Sequence, residues 1–181
     1  PYLSRGLGDV YKRQIWYLAA AIACIGAGQS TIFILIPAEV RSLGFNEFEV
    51  GIIFSISALA WMFFSPFWGS LSDKFGRKWI FLLGIFGFSI SMILFAAIIS
   101  AATLNLIPFA LILPLLIITR LINGLLGSAV RPAAGGRIAD LTSPETRAAG
   151  FARFDAGWQM GVVAGPITVS YTHLRAHETD T

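Results

Sequence analysis

The chain has 181 residues, of which 56% are hydrophobic and only 13% charged, with a formal net charge of +3. Soluble domains carry about 25% charged residues, so this composition excludes an ordinary soluble domain and calls for the bilayer as solvent. The small net charge gives no basis for nucleic-acid binding. The lone Cys24 can form no internal disulfide and reads as a small packing residue.

The two ends of the chain read as a pair. One short DNA string translates to residues 4–14, and its reverse complement translates to residues 169–179. That string resembles a transposase sequencing adapter, so residues 1–14 and 169–181 are expected to be adapter-derived and are left out of fold reasoning. His173 and His177, the only histidines, fall in the second segment, as does Tyr171; Lys12 and Arg13 fall in the first. A metal or proton-relay role for those histidines is not expected. The first apolar run is too long for a secretory signal, and no small-residue cleavage site follows it.

Between those ends the chain divides into hydrophobic runs. A helix needs roughly 20 apolar residues to cross the hydrocarbon core. Residues 15–38 and 50–72 each meet that length without interruption. From Lys78 to Arg120 there is no charge, which is about twice one span. The run must turn at an interface, because backbone buried in lipid has to stay hydrogen-bonded. Thr103, Asn105 and Pro108 mark the turn, giving helices over 79–101 and 107–138. Thr142 or Ser143 as a cap, then Pro144 and Glu145, starts a fifth helix over 144–168. The predicted architecture is an all-α polytopic membrane bundle.

Basic residues fix the expected orientation. Lys74, Arg77 and Lys78 follow the second helix, and Arg131, Arg137 and Arg147 surround the fourth junction. In the first loop, Arg41 is offset by Glu39, Glu47 and Glu49. The basic loops are therefore expected on the cytoplasmic side, together with the N-terminus, in a pattern that suits a bacterial inner membrane.

Three motifs stand out. Gly69, Asp73, Gly76, Arg77 and Lys78, with Pro66 just upstream, occupy the tight turn between the second and third helices. Glycines permit the turn, Asp73 can accept from a neighbouring helix start, and Arg77 offers a planar donor fork. The alternative is a solvated turn whose charges only set topology. Arg120, followed by Asn123, Gly124 and Gly127, puts a cation in mid-span, where it should face a polar cavity or a partner; the alternative is a structural arginine that snorkels. Gly157, Gly161 and Gly165 recur every four residues as one small-residue face on the fifth helix, with Pro166 next in sequence; the alternative to a transport-related motif is close helix packing alone.

The first motif resembles the signature loop of the major facilitator superfamily. Arg120 with its glycines is similar to that family's fourth-helix motif, and Gly161 to Pro166 to the fifth-helix motif of the drug:proton antiporter branch. The resemblance implies the first bundle of such a transporter, truncated after about five helices and lacking a sixth helix and the second bundle of the same chain. It implies a conformational latch at Gly69, Asp73, Gly76, Arg77 and Lys78. It also implies a substrate or proton pathway at Arg120, Asn123 and the mid-span Gln29, which is flanked by Ser30 and Thr31. The family pattern has a glycine where Ala152 stands, and many proton-driven efflux members carry a first-helix carboxylate that residues 15–38 lack.

Depth counted from the junction near Thr142 pairs Arg131 with Asp155 at the cytoplasmic edge, leaving Arg120 much deeper. Arg137 and Asp140 are expected to join a charge cluster with Asp73 and Arg77. Trp61, Trp68 and Trp79 read as interface or packing aromatics, and Trp158 beside Gln159 as cavity lining.

The function implied is secondary transport of small solutes by alternating access, as proton-coupled efflux of drug-like or metabolite molecules. The alternative within the family is an uptake carrier for sugars or organic anions. A membrane enzyme would need a catalytic set, and the sequence has no natural histidine and no paired intramembrane carboxylates. A scaffold would have little use for Arg120 in mid-span. No cofactor or metal is expected; the partners are lipid, a small solute and protons.

Overall fold

The computed structural model describes the backbone of residues 2–179 and the side chains of residues 13–167. Lys12, Tyr171, His173 and His177 lie outside the described side chains, as do nearly all of the expected adapter-derived segments. Every regular element among the described residues is helical: α1 (Tyr2–Ser42), α2 (Glu47–Phe75), α3 (Arg77–Thr103), α4 (Phe109–Ile122), α5 (Val130–Leu141) and α6 (Pro144–Thr179). Four stretches are long and apolar enough to cross a membrane: Arg13–Ser42, Glu47–Phe75, Arg77–Thr103 and Phe109–Leu141. The last of these runs through α4 and α5. The expected fifth span is helical as α6, but Glu145, Arg147, Arg153 and Asp155 make its first turns less apolar.

Local chemistry sets the helix ends. Asn46 and Glu49 form a reciprocal capping box at the start of α2, with Asn46 Oδ1 accepting from the Glu49 amide at 3.0 Å and Glu49 Oε2 from the Asn46 amide at 2.8 Å. Gly76 has φ +95°, so a single residue reverses the chain between α2 and α3; any side chain there would be strained. Asn105 takes φ 55° in the turn after α3, where its short polar side chain tolerates left-handed backbone.

One sequence expectation needs correction. The fourth helix does not run unbroken over 107–138, because Asn123–Gly127 forms a π-helical turn between α4 and α5. Two glycines and an asparagine there hold the α-helical ladder weakly, which lets the turn widen.

The chain forms two compact units. One is Ile36–Arg137, which packs α2, α3, α4 and the π turn together. Its core includes Trp68, Ile80, Ala129 and Ala133, with Phe64, Leu71, Phe81 and Leu126 packed against them. Phe63, Phe86 and Ile93 are exposed, as befits side chains that lipid rather than water solvates.

The other unit joins α1 up to Leu35 with the chain from Ile138 onward. A methyl group built on Gly157 would lie 2.5 Å from the Ala19 carbonyl oxygen, and one on Gly165 would lie 2.6 Å from that of Ala27. Gly161 sits tighter still on the Ala23 carbonyl. Both helices thus contribute a four-residue repeat of small side chains, and their backbones come close together. Cys24, expected to pack, is exposed.

Candidate functional site

The chemistry of a helix end builds the α2–α3 turn. Asp73 is near the C-terminus of α2, where its negative charge opposes the helix dipole, and Arg77 opens α3. Asp73 Oδ1 meets Arg77 Nη1 at 2.7 Å across Gly76. Asp73 was expected to accept from a neighbouring helix start; what the structure shows it accepting is the guanidinium. The Arg77 guanidinium lies directly over Gly136 of α5, in the space a Cβ there would fill, so a side chain at that position would have to displace it. Gly69 lies close to Pro132, and a methyl on it would be 3.6 Å from the proline Cβ. Lys78 is exposed, its Nζ 6.0 Å from the Trp79 ring. The signature residues thereby tie the α2–α3 turn to α5.

The second constellation is deep in the same unit. Arg120 is 1% exposed. Its Cζ is 5.7 Å from the Phe54 ring centre and 5.9 Å from that of Phe95. Its Nε and Nη1 have no hydrogen-bond partner. One turn along, Asn123 Nδ2 donates to Ser57 Oγ of α2 at 3.1 Å, while Asn123 Oδ1 has no partner. Gly124 makes that approach possible, because a methyl there would lie 2.7 Å from the Ser57 carbonyl. Gly127 faces Trp61 and Asn123.

Sequence reading missed the two rings that face this cation and the buried serines of the same unit. Phe54 and Phe95 look like ordinary lipid-facing aromatics in apolar runs. Ser57 and the fully buried Ser91, whose Oγ has no partner, carried a usable signal, since a serine inside a span tends to face protein. Trp68, expected as an interface or packing aromatic, donates its indole N–H to the Leu125 carbonyl at 2.6 Å.

The remaining predicted residues belong largely to the other unit. Gln29 Oε1 is buried without a hydrogen-bond partner. Gly157, Gly161 and Gly165 form the seam on α1, and Pro166 follows inside α6. Trp158 packs against Gly26, while Gln159 lines an open apolar groove with Met160, Val163, Ala164 and Ile167. Asp155 is exposed in this unit and Arg131 is half-buried in the first; both are engaged by neighbouring groups.

At the start of α6, Ser143 is the cap residue, its carbonyl accepting from the Thr146 and Arg147 amides. Thr142 instead donates back to the Ile138 carbonyl at 2.7 Å. A hydrogen bond from the Ser143 side chain, reinforced by the backbone, holds the Glu145 carboxyl below its usual range.

Long apolar helices around a buried cation define a multi-pass α-helical membrane protein. Residues 18–175 match the family model of the Major Facilitator Superfamily, and the chain belongs to that family of transporters. It is similar to the quinolone resistance protein NorA of Staphylococcus aureus, 30% identical over 155 residues, which are 86% of this chain and 37% of that protein. It is also similar to the class B tetracycline resistance protein of Escherichia coli, 33% identical over 117 residues, which are 65% of this chain and 26% of that protein. The chain therefore spans well under half the length of these relatives.

Proposed function

We propose that this chain is the first helical bundle of a longer secondary transporter that exports drug-like or metabolite solutes by alternating access, driven by protons. Arg120 carries the reading. A cation sealed in mid-span with two nitrogens lacking hydrogen-bond partners is too costly to keep as filler, and such residues mark solute and proton pathways. Membership of a transporter family supports the general class, and the resistance named for two relatives supports efflux. In this reading two bundles rock around a central site. The Asp73–Arg77 turn latches one conformation, and Arg120 and Asn123 line the path.

We place the protein in a bacterial inner membrane with the basic loops and the N-terminus in the cytoplasm. Uptake of organic anions is the second reading, favoured by the uncancelled charge of Arg120.

The test is transport by the complete gene product in inverted membrane vesicles, loaded with a fluorescent quinolone under a proton gradient. Gradient-dependent accumulation, falling at least tenfold in Arg120→Gln and in Asp73→Asn, is expected. Accumulation indifferent to the gradient contradicts proton-driven export, and full activity in Arg120→Gln removes that residue from the path.

A further inference from the structure

Arg120 has an unusual neighbourhood for a buried cation. Its Cζ lies within 6 Å of two ring centres, Phe54 on α2 and Phe95 on α3, a range in which ring faces attract cations, the more strongly where water is excluded. Phe95 is itself almost wholly buried, at 2% exposure. Neither the Arg41–Glu47 nor the Asp73–Arg77 ion pair involves Arg120.

The difference between an aromatic and a carboxylate partner matters here. A carboxylate would cancel the charge and occupy the guanidinium N–H groups. A ring face attracts the cation through its quadrupole and leaves the charge uncancelled. Arg120 Nε and Nη1 are in that unspent condition, as is Asn123 Oδ1 one turn along. The Asn123–Ser57 bond ties the π turn after α4 to α2 one turn from Phe54, so the helix that presents one ring also fixes the asparagine.

We propose that Phe54 and Phe95 are positioning residues that hold the Arg120 guanidinium by their ring faces, keeping it charged and unspent for the carboxylate of a transported solute. The inference rests on the reading of Arg120 as part of the transport path. An adjacent hydroxyl or amine on the same solute would donate to Asn123 Oδ1.

The experiment reads the guanidinium directly. The full chain is labelled with 15N-arginine in lipid nanodiscs, and Arg120 is assigned by the signal lost in Arg120→Lys. The Arg120 Nε–H proton is expected upfield of the other arginines through ring current. It should move downfield in Phe54→Leu, move further in the Phe54→Leu/Phe95→Leu pair, and stay near its original position in Phe95→Trp. An unmoved signal in the double variant overturns the proposal, as does an equal shift in Phe95→Trp and Phe95→Leu. Should Phe95→Leu fail to fold, the half-buried Phe54→Leu gives the same reading alone.

In the complete transporter, Phe54→Leu should raise KM for a carboxylate solute by about 2- to 30-fold, the range of a cation–π contact, with kcat little changed. The neutral amide of that solute should be unaffected, and an equal rise for both overturns the anion assignment. Absence of any transport by the unsubstituted protein sinks the transport reading, while the ring-current result still decides the aromatic hold.

Discussion

Trp68 shows how a single polar atom is accommodated among apolar helices. Leu125 lies within the π turn Asn123–Gly127. Its carbonyl oxygen accepts from Trp68 Nε1 at 2.6 Å and from Ser128 Oγ at 2.9 Å. Trp68→Phe keeps most of the packing and removes the indole donor. Thermal unfolding in detergent should show a loss of about 1–2 kcal/mol, typical of a buried hydrogen bond, and an unchanged midpoint would mean that Ser128 alone satisfies the carbonyl.

Glu145 supplies a pH prediction at the same scale. Its pKa is depressed in the folded chain, first by the Ser143 side chain. A depressed carboxyl favours the ionised form, so its contribution to the α6 start is complete above the ordinary range of about 4.3 and fades as pH falls through the lower folded value. The protection of the Thr146 and Arg147 amides, measured as exchange relative to the intrinsic rate at each pH, should therefore fall at acid pH, and Glu145→Gln should abolish that loss.

Among the elements, α1 and α6 depend on absence of side chain. Gly157, Gly161 and Gly165 bear on Ala19, Ala23 and Ala27, and lipid offers no hydrophobic drive to push helices together, so close backbone contact must do it. Gly161→Leu should cost about 1–3 kcal/mol or more through overpacking, read as a lower unfolding midpoint and a lost crosslink between cysteines placed along the two helices. The glycine repeat on α6 was legible in the sequence because its period is visible in one segment. The matching Ala19, Ala23 and Ala27 were not picked out, since alanines are common in any apolar helix. The helix boundaries near Gly76, Asn105 and Pro144 were legible because each carries a residue with a backbone preference. The π turn was not, because Asn123, Gly124 and Gly127 are compatible with a continuous helix and only the packing against Ser57 and Trp68 reveals the bulge. The Asp73–Arg77 pair was half legible: both charges were singled out, but their partnership depends on how tightly Gly76 turns.

For the whole molecule, composition alone led to the membrane, and the spacing of glycines and charges led to the family that residues 18–175 match. The setting of Arg120 could not be read that way, because the guanidinium and the rings of Phe54 and Phe95 come from three helices that meet only after folding. Alternating access requires this buried centre to open to each face in turn. Asn123 is fully buried, so it reports on that opening. The decisive measurement is labelling of Asn123→Cys, in a Cys24→Ser background of the complete protein in sealed proteoliposomes, by a membrane-impermeant thiol reagent added outside or trapped inside. We predict labelling from both sides, with the proton gradient shifting the balance between them. Labelling from neither side, or from one side only whatever the gradient, would contradict alternating access around Arg120.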